Sequence, residues 1–335
     1  MKLLLLGPRY HKSGQMGGIV VLFELFLQEL DKQGMEYKVI DTNKKNYSNV
    51  ILALVSIYFQ IVTNIFKSDK VMLHGTAGDY KYIAPFVVFI SKLFGKKVYL
   101  RKFAGSFAEV YKSSSGVGKK LIEYVLKNAE INFFETKYLV EYFKRFNPQT
   151  YWFPNVREQN SVFKNTPFQK QFIFLGHIRT EKGVLELVEA ANKLGGEYTI
   201  DLYGSVVEES LVEKINSANG TYKGLLKPED VTKRLAQYDV LVLPSYREGY
   251  PGVIIEAFSV GLPVVATTLD GIKEIVDDGK SGILVPPKDV DALTKAIQSF
   301  DEKNYESFSK EALRAFEQFD SEKVIKEVLK KIYES

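Results

Sequence analysis

Cysteine is absent from all 335 residues. A disulfide framework, a thiolate metal site and a cysteine nucleophile are therefore excluded, and the composition fits a reducing compartment. With no Cys/His cluster at ligand spacing either, no metal is implied. Long apolar runs are also missing. The most apolar segment, Val50–Phe66, is interrupted by Ser56, Gln60, Thr63 and Asn64. It falls short of the roughly 20 residues that a membrane-spanning helix needs and reads as a core helix, shallow membrane contact being the alternative. Met1–Gly7 is too short for the core of a signal peptide and reads as a first buried strand. Nor is there a large excess of one charge, since 45 Lys+Arg against 41 Asp+Glu leave +4. What is present is 45% apolar residues, the composition of a soluble globular protein, at a length that suits two domains of about 150–170 residues.

The small net charge conceals a division along the chain. Residues 1–157 hold 23 Lys+Arg and 12 Asp+Glu, a net of +11, whereas residues 158–335 hold 22 and 29, a net of −7. The basic first half is expected to face something anionic, the alternative being an ordinary solvated surface.

Short apolar runs alternate with longer helical patterns. Lys2–Leu6, Tyr37–Ile40, Lys70–Leu73, Lys97–Leu100 and Asn132–Glu135 read as strands of a first domain, and Phe172–Leu175, Tyr198–Tyr203, Val240–Leu243, Val264–Ala266 and Gly282–Val285 as strands of a second. Strand, helix, strand throughout implies an α/β fold of parallel sheets covered on both faces. The expected organisation is a doubly wound, Rossmann-like domain over residues 1–157, a polar linker over 158–171 and a second such domain over 172–304. A long helical segment over 305–335 is expected to pack back across a cleft between the domains, where the carboxyl ends of both sheets would meet a ligand.

The most specific segment is Val240–Thr268. A buried strand ends at Pro244-Ser245, a polar turn carries Arg247 and Glu248, Pro251-Gly252 opens a helix, and Glu256 lies within it. Free amides at such a helix start favour an anion. Seven residues separate Glu248 from Glu256, a spacing of up to about 12 Å along a helix. One carboxylate at each end of an anion site suits a ligand with hydroxyls at both ends and phosphate in the middle, which is the layout of a nucleotide sugar; chance occurrence in a helix is the alternative. Upstream, Phe172–Gly183 places Arg179 and Lys182 on the loop after a strand, where two cations can neutralise a diphosphate.

These motifs resemble glycosyltransferase family 4, the retaining GT-B enzymes. The residues that carry the resemblance are Glu248-Gly249-Tyr250-Pro251, Glu256-Ala257, Gly261 to Ala266, Gly271, Glu274 and Gly279 to Pro286, with Gly176 and Lys182-Gly183 before them. The resemblance covers nearly the whole carboxyl half and only short elements of the amino half. One departure stands out, because His177 occupies the family's usual arginine position and leaves Arg179 as the substitute.

The resemblance implies a retaining, metal-independent hexosyltransferase that moves a sugar from a UDP- or GDP-sugar to a hydroxyl of a saccharide or lipid-linked acceptor in cell-surface polysaccharide synthesis. Glu248 would hold the donor sugar, Glu256 the ribose, and Arg179 and Lys182 the diphosphate. Tyr250, Pro251, Gly252 and Val253 would line the donor site, with the base near Gly204, Gly224 and Leu225. Gly17 and Gly18, in Gly14-Gln15-Met16-Gly17-Gly18, match the family's glycine loop. His74, Arg101 and Lys102 follow strands and are expected on the acceptor side, a satisfied structural histidine being the alternative for His74. The family's histidine before Gly105 is replaced by Ala104. No cofactor beyond the nucleotide-sugar co-substrate, no metal and no nucleic acid is implied. Asp289-Val290-Asp291 opens a helix and reads as a cap rather than a metal motif. A cytoplasmic protein, peripheral on the inner face of the membrane, is expected, with an anionic membrane surface as a partner of the basic half. An epimerase- or hydrolase-like enzyme and a non-catalytic sugar-nucleotide-binding protein remain alternatives.

Overall fold

The computed structural model describes residues 2–11, 17–103, 105–163 and 167–335. The chain forms two compact units, one from Met1–Val156 together with Ser321–Ser335 and one from Arg157–Asp320.

The first unit is built on six strands, β1 (Lys2–Gly7), β2 (Glu36–Asp41), β3 (Lys70–Gly75), β4 (Lys97–Lys102), β5 (Ile131–Phe134) and β6 (Thr150–Trp152). They pair in the order β2-β1-β3-β4-β5-β6, every pair parallel. Successive strand residues point to opposite faces. Accordingly Leu4 and Leu6 enter one core with Ile57, Ile61, Val87 and Ile122, while Leu3 and Leu5 enter another with Phe23, Phe26, Ile325 and Leu329. With both faces covered, the interior strand β1 is a continuous apolar run, Leu3–Leu6, whereas the edge strand β2 carries Glu36, Lys38 and Asp41. The strand order reverses between β1 and β3, the kind of position where loops diverge in open α/β sheets.

The second unit repeats the plan with β7 (Gln171–Leu175), β8 (Thr199–Tyr203), β9 (Gly220–Tyr222), β10 (Val240–Leu243), β11 (Val264–Thr267) and β12 (Gly282–Val285). Their order is β12-β11-β10-β7-β8-β9, again parallel at every pair, and the reversal falls between β7 and β10. The buried Asp239 fixes the entry to this sheet, its Oδ2 accepting from the Gln169 and Gln171 amides at 3.0 and 2.7 Å.

The structure departs from the expectations in three places. β6 and β9 are three-residue strands at sheet edges, too short to show an alternation. The single helical segment expected over 305–335 is two helices, Tyr305–Phe316 and Ser321–Glu334, joined by a 3-10 turn that ends where Asp320 adopts extended backbone. They belong to different units. Ile325, Val328, Leu329 and Ile332 form one apolar stripe and bury in the first unit beside Phe26 and Leu30, whereas Phe316 and Phe319 bury in the second. Finally, the boundary falls at Val156/Arg157, so Arg157 and the described residues of the stretch taken as a linker belong to the second unit.

Gly183 shows how tightly β7 and β10 deliver their loops. It has φ +71°, and a Cβ there would lie 2.0 Å from the Pro244 carbonyl oxygen. Gly183→Ala combines left-handed strain with overpacking and is expected to destabilise the second unit by about 3 kcal/mol. A thermal unfolding midpoint unchanged from wild type would contradict that account.

Candidate active site

In the second unit the polar groups gather where the strand order reverses. After β7 the chain makes a 3-10 turn, Thr180–Lys182, and after β10 it makes the loop that carries Glu248. These neighbouring strand ends bring Lys182 Nζ to 2.6 Å from Glu248 Oε1. Both side chains are largely buried, at 20% and 12% exposed. Ser245, fully buried, donates its hydroxyl to the same oxygen at 2.8 Å, and its carbonyl accepts from Thr267 Oγ1 at 2.7 Å. Glu248 is therefore oriented by two donors on one oxygen, and the ammonium keeps further donor capacity for a ligand.

Glu256 lies one turn into the Gly252–Phe258 helix, whose N-cap is Pro251. Its Oε1 accepts from Arg157 Nε at 2.7 Å. Arg157 also lies against the helix start, where a Cβ on Gly252 would meet its Nη2 at 2.3 Å. A side chain at position 252 would displace the guanidinium from this place. The Arg157 backbone is anchored in turn, since its amide donates to the Phe319 carbonyl at 3.0 Å. Reading the sequence missed Arg157 because a lone arginine in an aperiodic stretch has no spacing signature; only the tertiary fold sets it beside Glu256.

The other expected donor-site residues are placed unequally. Arg179 is half-buried, and its Nε lies 3.2 Å from Glu181, its near neighbour on the same loop. His177 meets Ser205 Oγ through Nδ1 at 2.5 Å. Gly204 and Gly224 are joined by an amide-to-carbonyl bond of 2.9 Å at the ends of β8 and β9, and the Tyr222 hydroxyl donates to the Gly204 carbonyl. Leu225 beside them is exposed. Val253 follows Gly252 in the first turn of its helix. Tyr250 departs from expectation, because its ring is buried against Phe319 at 6.3 Å and is part of the core. Asp289 caps its helix by accepting from the Ala292 amide at 2.8 Å, and Asp291 pairs with Lys193. Among the described residues no three His, Cys, Asp or Glu side chains cluster as a metal site.

In the first unit Gly17 is the N-cap of the Gly18–Lys32 helix, which follows the loop after β1. Among the described residues, a Cβ on Gly17 or Gly18 would meet nothing within 4 Å. Gly14, Gln15 and Met16 lie outside the described residues, as does Ala104.

The expected acceptor-side trio is corrected by the structure. His74, Arg101 and Lys102 have no exposed surface, because aromatic rings close over the ends of β3 and β4. His74 packs on Phe26 and Phe23 with ring centroids 4.6 and 4.9 Å away. Arg101 stacks on Phe153 at 3.4 Å and donates from Nη2 to the Pro154 carbonyl at 2.9 Å. Lys102 donates to the Phe103 carbonyl and lies over the Phe107 ring. Burial lowers the pKa of both cations, and the charge of Glu135 opposes the shift. His74 is not a satisfied structural histidine either, since neither ring nitrogen has a hydrogen-bond partner among the described residues. Burial first, and the Arg101 charge second, hold its pKa well below the usual histidine value.

Two parallel six-stranded sheets, with a strand-order reversal in each, define the class: the chain has the GT-B fold of glycosyltransferase structures. It superposes on Anabaena HepE in complex with UDP with a TM-score of 0.78 at 16% identity, over 100% of both chains. It superposes on sucrose-phosphate synthase of Thermosynechococcus elongatus with a TM-score of 0.73 at 18% identity, over 99% and 98%. Residues 169–301, which contain the Lys182–Glu248 pair and Glu256, match the family described as Glycosyl transferases group 1. The chain is 30% identical over 185 residues to the N,N'-diacetylbacillosaminyl-diphospho-undecaprenol alpha-1,3-N-acetylgalactosaminyltransferase of Campylobacter jejuni, covering 53% of this chain and 48% of that protein. It is 30% identical over 134 residues to the putative teichuronic acid biosynthesis glycosyltransferase TuaC of Bacillus subtilis, covering 40% and 33%. The chain thus spans less than half the length of these curated relatives.

The buried imidazole has a consequence in acid. With the folded-state pKa depressed, the unfolded chain takes up a proton below about pH 6.5 that the folded chain does not. Stability therefore falls as pH drops through that value, by up to ~1.4 kcal/mol per pH unit from this one group. In His74→Leu the thermal midpoint should fall less steeply than in wild type between about pH 6.5 and 5; parallel curves would refute the assignment of His74 as buried and neutral.

Proposed function

We propose that this chain is a retaining glycosyltransferase of family 4 that transfers a hexosyl group from a UDP- or GDP-sugar to a hydroxyl of a saccharide or lipid-linked saccharide during cell-surface polysaccharide synthesis. The observation that carries the reading is the Lys182–Glu248 pair at the carboxyl ends of β7 and β10, with Ser245 on the same carboxylate oxygen. Support comes from relatives whose names include a lipid-diphosphate-linked sugar and teichuronic acid biosynthesis, and from a fold neighbour solved with UDP.

In this reading Lys182 shares its charge between Glu248 and the donor diphosphate, and Arg179 swings from Glu181 to assist it. Protein cations thereby neutralise the leaving group without a metal. Glu248 holds hydroxyls of the donor sugar. Glu256, steadied by Arg157, takes the ribose hydroxyls beside the helix start. The acceptor oxygen bonds to the anomeric carbon as the bond to the diphosphate breaks, and the acceptor proton passes to the departing phosphate. The expected location is the inner face of the cell membrane, where a lipid-linked acceptor is met.

Ligand-induced thermal shift with UDP and GDP, followed by turnover assays, tests the assignment. Saturating cognate nucleotide, at about 100 times its dissociation constant, should stabilise the protein by about 2.7 kcal/mol. Glu256→Ala and Arg157→Met should each weaken nucleotide binding about tenfold, the equivalent of about 1.4 kcal/mol, while Lys182→Ala should lower turnover sharply. Wild-type behaviour in Glu256→Ala and Lys182→Ala would remove the site assignment. Conversion of a donor sugar in the absence of acceptor would instead favour the hydrolase- or epimerase-like alternative.

A further inference from the structure

The Val50–Ile65 helix of the first unit is apolar on two sides. Ala53, Ile57, Ile61 and Ile65 recur every four residues and are fully buried against the sheet. A helix that buries one face is expected to be polar on the other. Here the opposite side carries Ile51, Val55, Phe59, Val62 and Phe66, spaced i, i+4, i+8, i+11 and i+15, and all five are exposed, Ile51 at 75% and Phe59 at 69%. The stripe runs about 22 Å along the helix. It is widened by the neighbouring Ala84–Leu93 helix, whose end adds exposed Phe89, Leu93 and Phe94, with Phe94 set edge-on to Phe66 at 4.4 Å. So large a contiguous apolar surface marks an interaction site.

Charge around the stripe identifies the partner. Residues 42–68 contain no Asp or Glu, and neither do residues 80–108. Lys44, Lys45 and Lys67 flank the first helix, and Lys81, Lys92 and Lys96 lie in the segment of the second. Asp79, one of the two carboxylates between residues 42 and 108, is buried and pairs with Lys44. The unit as a whole carries 26 Lys+Arg and 15 Asp+Glu. Two copies of such a face would oppose like-charged rims, whereas an anionic bilayer offers hydrocarbon to the stripe and phosphate to the lysines. No described helix is long and apolar enough to cross a membrane. We propose that the Val50–Phe66 stripe, with Phe89, Leu93 and Phe94, lies in the interface of an anionic lipid bilayer and docks the first unit there. This deepens the reading of a lipid-linked acceptor by naming the surface, and it rests on that reading only for the choice of a membrane.

Sedimentation with vesicles of phosphatidylcholine alone, or with about one-third phosphatidylglycerol, tests the surface without any saccharide. Wild type should bind the anionic vesicles at least about tenfold more tightly than the neutral ones, and Ile51→Ser/Val55→Ser/Phe59→Ser should lose about tenfold or more of that binding. The triple variant alters exposed positions only, so its unfolding midpoint and UDP affinity should match wild type. Lys45→Glu/Lys67→Glu should also weaken anionic binding, and Phe59→Trp should be quenched by brominated lipid where wild type, with Trp152 alone, is not. Wild type that ignores anionic vesicles, binding unaffected by these variants, or a wild-type dimer that the triple variant converts to monomer would each overturn the proposal. Because UDP binding is read separately, a chain that binds vesicles but no nucleotide would instead sink the transferase reading.

Discussion

A parallel sheet must be covered on both faces, and most of this chain follows from that requirement. An interior strand has to be apolar on both sides, so Leu3–Leu6 fill two different cores from four successive positions. Polar chemistry is displaced to the ends of the strands, where the backbone leaves the sheet. In the second unit the displaced groups are Lys182, Ser245 and Glu248, at the ends of two strands that are adjacent because the order reverses between them. The ion pair so formed is largely buried, and Ser245 donates to the same carboxylate oxygen.

The same requirement acts differently on the first unit. Its strand ends also carry charge, yet the aromatic rings around His74, Arg101 and Lys102 close over them. These side chains keep the geometry of a strand-end site without its access. Meanwhile the unit leaves apolar surface outside, on the helix that covers the sheet beside β2. Placing charge within and hydrocarbon without reverses the ordinary order of a soluble domain, and a lipid interface is the environment in which the outer part of that reversal is favourable.

The fold was legible because its signal is local and repeated. Runs such as Lys2–Leu6 and Val240–Leu243, each followed by a helical period, define parallel strands wherever they occur. Edge strands of three residues left no such trace. The divided carboxyl end escaped as well, since Tyr305–Tyr333 reads as helix throughout and only burial on two separate cores shows where it breaks. In the candidate site, Glu248, Glu256 and Lys182 were named from spacing and motif, and the structure adds a partner to each. Arg157 was not, because its partner lies 99 positions away.

What the sequence determined by itself was periodicity: which segments are strands and helices, that the sheets are parallel, that one half is basic and the other acidic, and which loops hold the motif residues. These are properties of neighbours along the chain. Tertiary structure decided which of those residues meet and which are closed off. It set Lys182 against Glu248 and Arg157 against Glu256, buried Tyr250, His74, Arg101 and Lys102, and left Ile51 and Phe59 outside. The physical reason is that burial and pairing depend on the packing of distant segments, whereas helix and strand periods depend on residues only a few positions apart.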